Sequence, residues 1–310
     1  MDIHHVTLKE IGDLFGLPIA ALESDHEVRD VLSRAKLRPA NQREREEYIL
    51  EFLKRIRNPK IVRDDQENLE AWNEGWQENL DEIRNSGLTE ANVKPRYFRG
   101  SKFFRFKKDL WVTDNLQLEY DLFVACRRLL FNHYLANAPG IVELGCGSCG
   151  NIHLLSRMFQ DKRIRGCDWA TPSVELANEI GKIQERDISG VQMDFLNPPK
   201  DLRLGQGDAV ISIHALEQIG NRHQKLIESL VNSKPSIVLH YEPILELYDD
   251  NNLYDNLAAW YSTLRNYLNG LLDYLRDLES KGRIEILKVC RPEIGGIMHE
   301  ASLIVWKPRA

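Results

Sequence analysis

Glu143-Leu144-Gly145-Cys146-Gly147-Ser148-Cys149-Gly150-Asn151 is the stretch that decides the fold. It continues the apolar run that begins at Gly140-Ile141-Val142 and leads into a periodic segment, Ile152 to Phe159. A strand that enters glycines and leaves as a helix predicts a ligand-binding turn. Glycine lets the backbone turn sharply and approach a bound molecule closely. The pattern alone is shared by nicotinamide and flavin sites. Cys146 and Cys149 form a C-x-x-C within it, with no second cysteine or histidine pair at zinc spacing. They read as small residues in a tight turn, and no metal is expected.

Working outward, strands and helices alternate. Arg163–Asp168, Val191–Phe195, Asp208–Ile213 and Ser236–Tyr241 read as strands, with helices at Pro172–Lys182 and Arg222–Val231 between them. Ile284–Cys290 and Ala301–Trp306 close the chain as an antiparallel hairpin. The expected fold is α/β, with a doubly wound, mostly parallel seven-stranded sheet and a helical N-terminal region. Helical periodicity covers Leu8–Leu17, Glu27–Leu37, Gln42–Ile56, Asn68–Arg84 and Asn115–Leu135. Trp72 and Trp76, four apart, are expected to be core. Residues 1–110 thus read as a helical cap or lid open to substrate contacts. Residues 111–310 read as the ligand-binding domain, with a helical insertion at 244–281.

One segment stands apart. Lys94, Arg96, Arg99, Lys102, Arg105, Lys107 and Lys108 occur within fifteen residues without an acid, interleaved with Tyr97, Phe98, Phe103, Phe104 and Phe106. The favoured reading is an extended segment whose aromatics pack inward while its cations face water. The rival is a lid or anion-binding edge.

Three acids narrow the ligand. Glu143 lies in the strand, two residues before the first glycine, where a pyrophosphate site has no use for a carboxylate. A cationic methyl donor with an amino-acid tail does have a use for it. Asp168 ends the second strand, placed to accept two ribose hydroxyls. Met193-Asp194-Phe195 ends the third, offering an acid for an adenine amine and an apolar face for its ring.

With these residues in place, residues 114–310 resemble the class I S-adenosylmethionine-dependent methyltransferases. The resemblance implies that Glu143, Gly145, Cys146 and Gly147 meet the methionine part of S-adenosyl-L-methionine. It implies Asp168 on the ribose with Trp169 beside it, and Asp194 on the adenine with Met193 and Phe195 flanking. It also places His214 and the segment to Ile219 along the donor pocket. The third glycine stands one position later than in many members, which leaves the loop contacts open.

A hydroxyl acceptor needs a base. His214 and His240 lead as candidates, each with a carboxylate nearby in sequence, Glu217 and Glu242. Asn197-Pro198-Pro199-Lys200 is a decoy for an amino-directed nucleic-acid methyltransferase motif, since it follows the third strand and lacks the aromatic. The expected reaction is O-methylation of a sugar-like or other polar small molecule, or a glycan. The alternatives are an amine N-methyltransferase, an RNA methyltransferase, and a donor-binding partner subunit without turnover. The chain of 310 residues has a formal net charge of −6, which argues against nucleic acid. No membrane segment or signal sequence is read, so the cytoplasm is the expected location. A homo-oligomer is compatible with all of this.

Overall fold

The computed structural model describes residues 3–58, 61–62, 64–96, 98 and 100–309. From the N-terminus come β1 (His4–His5), α1 (Leu8–Phe15), α2 (His26–Ser33), β2 (Lys36–Pro39), α3 (Gln42–Ile56) and α4 (Asp65–Ser86). Thr7, Asp25, Asn41 and Asp64 cap the four helices, each side chain accepting a first-turn N–H. Glu44 and Glu67 complete capping boxes on α3 and α4. A hairpin follows, β3 (Phe103–Phe106) with β4 (Asp109–Val112), then α5 (Leu118–Leu135).

The remaining chain alternates: β5 (Gly140–Leu144), α6 (Gly150–Met158), β6 (Arg163–Asp168), α7 (Thr171–Gln184), β7 (Ile188–Gln192), β8 (Ala209–Ile213), α8 (Gln224–Ser233) and β9 (Ile237–Glu242). Then come α9 (Leu253–Leu264), α10 (Leu271–Ser280), β10 (Ile284–Cys290), β11 (Ile294–Gly295) and β12 (Ser302–Pro308). The seven-stranded sheet runs β10-β12-β9-β8-β5-β6-β7. β5 pairs in parallel with β6 and β8, β6 with β7, and β8 with β9. β12 is antiparallel to both of its neighbours.

Period-two alternation divides the sheet's side chains between two cores. Ile141, Ile211, Ile213, Leu239 and Tyr241 face the layer of α5, α6 and α7. Val142, Leu144, Val210, Val238 and Trp306 face α8 and α10. A third cluster joins Phe52 of α3, Phe103, Leu110, Tyr254 and Tyr261 of α9, and Met298.

The N-terminal region is not purely helical. It carries a second, five-stranded sheet, ordered β1-β2-β4-β3-β11. Its strands are two to four residues long, and all four of Phe103–Phe106 are buried, so no alternation marked them as strand. The expected helix Glu27–Leu37 ends at Ser33, and Lys36–Pro39 is extended. The third strand of the large sheet ends at Gln192, and Met193-Asp194-Phe195 lies beyond it. β10 and β12 pair antiparallel as expected, from Ile284↔Pro308 to Cys290↔Leu303. Their connection is more than a turn, because it contributes β11 to the second sheet. The stretch 244–281 also divides in two. α10 is a core layer of the large sheet, whereas α9 packs with α3 in the third cluster.

Within 94–108, Tyr97 and Arg99 lie outside the described residues. Of the other cations, Arg96, Lys102, Arg105, Lys107 and Lys108 all pair with carboxylates. Lys94 donates to Gln117 and sits over Tyr120. Arg105 is fully buried, which no reading of that stretch as a solvated edge anticipates. It meets Asp255 and, at 3.0 Å, Glu300, while Arg291 bonds both acids at 2.7 Å. Among the described residues, no helix is long and apolar enough to cross a membrane.

Candidate active site

A cavity of about 660 Å³ opens over the C-terminal ends of β5, β6, β8 and β9, with α3, α4, α5 and α9 contributing to its walls. The glycine loop forms its floor. Gly145 has φ +73°, and a Cβ there would lie 2.3 Å from that of Ala215. Gly147 has φ +49°, and a Cβ there would meet Trp76 at 3.1 Å. Trp76 is core, as expected, but it also lines the cavity, stacked on Trp72 at 5.1 Å. Cys149 takes φ +61° as the N-cap of α6, a left-handed conformation that glycine adopts more readily.

Asp168 is buried beside this loop. One carboxylate oxygen accepts from Gly147 N at 2.9 Å and the other from Ala170 N at 2.9 Å. Burial raises its pKa to about 6 against the opposing pull of these N–H groups. Each oxygen keeps a lone pair for a further donor. Glu143 is fully buried behind the loop. Asn151 bridges it to the cavity, donating to Glu143 and accepting from Arg127. The other Glu143 oxygen has no hydrogen-bond partner. Burial pushes Glu143 to about 8, and a cation in the cavity would draw it back toward ionisation. Asn151 and Arg127 were missed by sequence reasoning, although Asn151 directly follows the last glycine.

Trp169, Asp194 and Phe195 line the cavity. Asp194 is exposed, and its carboxylate accepts from Leu196 N and Asn197 Nδ2, both at 2.8 Å. Cys146 also reaches the wall, while its sulfur packs inward near Ser173 O. Met193 does not belong with this set. It is buried in the core beneath the sheet.

The expected bases separate. His214, at φ +50°, lines the cavity. Glu217 lines it too, with Oε2 3.8 Å from His214 Nδ1 and 3.6 Å from His299 Nδ1. Burial acts to raise the Glu217 pKa, but the two imidazoles outweigh it and hold the group at about 2. Each histidine thus turns Nδ1 toward the Glu217 carboxylate at ion-pair range, beyond hydrogen-bond distance. His240 is a correction. One strand position from Tyr241, it points to the opposite face, fully buried against Trp306 and bonded to Ser212 Oγ at 2.8 Å. Burial drives its pKa down to about 3. Glu242 is a second correction. It is fully buried outside the cavity lining and accepts from Ala215 N at 3.0 Å and Leu216 N at 3.2 Å. It holds the His214 turn, and burial raises it to about 7.

His299 was missed altogether. It arrives on the β11–β12 connection, with Tyr261 and Tyr267 against its ring at 5.3 and 5.8 Å. Glu119, at the start of α5, also faces this group, and burial raises its pKa. No motif marks either residue. Among the described residues, no group of three or more His, Cys, Asp or Glu side chains is arranged to hold a metal ion.

Residues 142–233 match the family model of a methyltransferase domain. No curated protein matches the chain. Solved structures with a similar fold include geranyl diphosphate C-methyltransferase from Streptomyces coelicolor A3(2), 14% identical over 63% of this chain and 85% of that one, with a TM-score of 0.42. Human N-acetylserotonin methyltransferase is 17% identical over 74% and 58% of the two chains, with a TM-score of 0.45. An O-methyltransferase from neocarzinostatin biosynthesis is 14% identical over 77% and 70%, with a TM-score of 0.42. Those identities and scores are too low to bear on function. The family match covers the glycine loop, Asp168 and the His214 turn, set on a sheet that is parallel except at β12. Residues 142–233, with the glycine loop and Asp168, are thus similar to a methyltransferase domain.

Proposed function

We propose that this chain methylates a hydroxyl of a polar small molecule enclosed in the cavity. The observation that carries the reading is Glu217 set between the imidazoles of His214 and His299 in the cavity wall. When bound, S-adenosylmethionine supplies a methyl carbon whose bond to sulfur breaks, the electron pair staying on sulfur, as the acceptor oxygen forms the new bond. Glu143, through Asn151, suits the cationic amino-acid end, and Gly145, Cys146 and Gly147 pass beneath it. Asp168 suits the ribose hydroxyls with Trp169 beside it, and Asp194 with Phe195 suits the adenine. Arg127, buried and presented by α5, suits the ligand's carboxylate.

The chain's own chemistry is positioning and proton removal. Ionised Glu217, facing both imidazoles, stabilises the positive charge that forms when His299 or His214 takes the hydroxyl proton. Residues 1–110, with α9, act as the cap that keeps water from the acceptor, and residues 111–310 hold the donor. A second reading, methylation of an amine, draws on Glu119 as a further carboxylate among the same imidazoles.

A screen with methyl-labelled donor against pools of hydroxylated small molecules, sugars included, of amines, and of RNA tests this. Label is expected in the hydroxyl pool. Label confined to amines or RNA would sink the proposal, as would a protein that binds neither the donor nor its demethylated product. Under the amine reading, His214→Ala and His299→Ala leave turnover largely intact.

A further inference from the structure

The cavity wall beyond His299 holds two arginines of different standing from the rest. Arg55 of α3 and Arg265, just after α9, both line the cavity. Arg222, in the same wall, is neutralised by a two-pronged pair with Asp65 at 2.7 and 2.8 Å. Arg55 and Arg265 have no carboxylate within ion-pair reach among the described residues, in a chain with 47 acids against 41 lysines and arginines. Arg265 is half-buried. It donates through Nη1 to Ile61 O at 2.7 Å and through Nε to the Tyr267 hydroxyl at 3.2 Å. Those bonds fix its plane and leave Nη2 unused.

Both cations stand on rings that touch His299. Arg55 lies 5.8 Å from the Tyr261 ring and Arg265 5.2 Å from the Tyr267 ring. The two tyrosines meet edge-on at 6.1 Å, and both pack against His299. Each guanidinium is therefore one aromatic ring away from an imidazole that faces Glu217. A guanidinium stacked on a ring is weakly hydrated and keeps its N–H edge for a planar oxyanion. Nearby, the Tyr48 hydroxyl, Gln218 Oε1 and His299 Nδ1 are buried in the cavity wall without a hydrogen-bond partner. Such groups are costly to leave unmet, so the wall is built for a polar occupant.

We propose that the acceptor is an anionic hydroxy compound whose carboxylate or phosphate is held by Arg55 and Arg265 while its hydroxyl lies at His299. The inference rests on the reading of this end as the acceptor site. It transfers to two separated arginines the anion-binding part that the sequence offered to the basic stretch 94–108, whose described cations are engaged elsewhere.

The test is a titration of inorganic phosphate, and separately of benzoate, into the protein with and without saturating S-adenosylhomocysteine, followed by protein NMR. One of the two anions is expected to saturate a single site. Arg55→Gln should weaken it tenfold or more, and Arg265→Lys, which keeps the charge but loses the fork, at least fivefold. Phosphate alone identifies a phosphorylated acceptor, and benzoate alone a carboxylate. The proposal is overturned if neither anion saturates, or if both variants bind as the parent does. Melting temperatures check that each variant is folded, and should Arg265→Lys fail to fold, Arg55→Gln decides. S-adenosylhomocysteine that fails to bind undoes the methyltransferase reading, whereas lost anion binding with that ligand intact undoes only this one.

Discussion

The glycine-loop end of the cavity and the His299 end are built from the chain in different ways. At the glycine loop, Glu143, Gly145, Gly147, Asn151, Asp168 and Asp194 all come from one stretch of about fifty residues, at or just beyond the ends of strands except for Asn151 in the first turn of α6. The His299 end draws Tyr48, Glu119, Glu217, Tyr267 and His299 from segments scattered over most of the chain. The electrostatics differ as well. Burial raises the acids near the loop, Glu143 to about 8 and Asp168 to about 6, while two imidazoles hold Glu217 at about 2. One end is suited to stabilising a bound cation, and the other to keeping a carboxylate ionised behind a proton acceptor.

If the ends do different jobs, substitutions should separate. The largest effect is expected from Glu217→Gln or His299→Ala, with turnover down by roughly 10²–10⁴, the range for a lost base or its orienting group. Binding of S-adenosylhomocysteine should stay within about twofold of the parent, and equal losses in both measurements would erase the division. Next is Glu300→Ala, which leaves the buried guanidiniums of Arg105 and Arg291 without one of their two acids. Removing one partner of a buried ion pair costs about 3–5 kcal/mol, readable by urea denaturation. Asp168→Ala should weaken S-adenosylhomocysteine by at least roughly 100-fold, since two charge-assisted hydrogen bonds at about 1.5–3 kcal/mol each are at stake. An unchanged affinity would remove Asp168 from the ribose.

The smallest effect is in pH. The folded pKa of Glu143 lies above its unfolded value, so the folded state holds more protons between about 4.5 and 8. Stability of the ligand-free protein from this group is therefore fully present below about 4.5 and is lost as pH rises through about 8. Affinity for the cationic donor should run the opposite way, rising by up to tenfold per pH unit and levelling above about 8. Calorimetry across this range checks the slope, and Glu143→Gln should flatten it.

The same contrast explains what could be read before the structure. Alternating strands and helices from Gly140 onward carry strong local signals, so the large sheet and the loop with its acids were legible. Locally coded positions still failed where one residue of register mattered. His240 and Tyr241 are neighbours on β9, and only the pairing of the strand says which faces the cavity. Met193 faces the core for the same kind of reason. The second sheet escaped because Phe103–Phe106 is buried on both faces and its partners are as short as two residues. His299, Glu119, Arg55 and Arg265 escaped because a site residue brought in by long-range packing has no local pattern.

The small β11 strand sets the order of events at birth. The sheet that starts with His4 gains its last member only from Ile294–Gly295. A nascent chain emerges N-terminus first, and pairings of such wide sequence separation form late and slowly. The edge of the sheet that begins at His4 therefore stays unmatched until Ile294–Gly295 has been made. A truncation before residue 294 would deprive the five-stranded sheet of its edge strand.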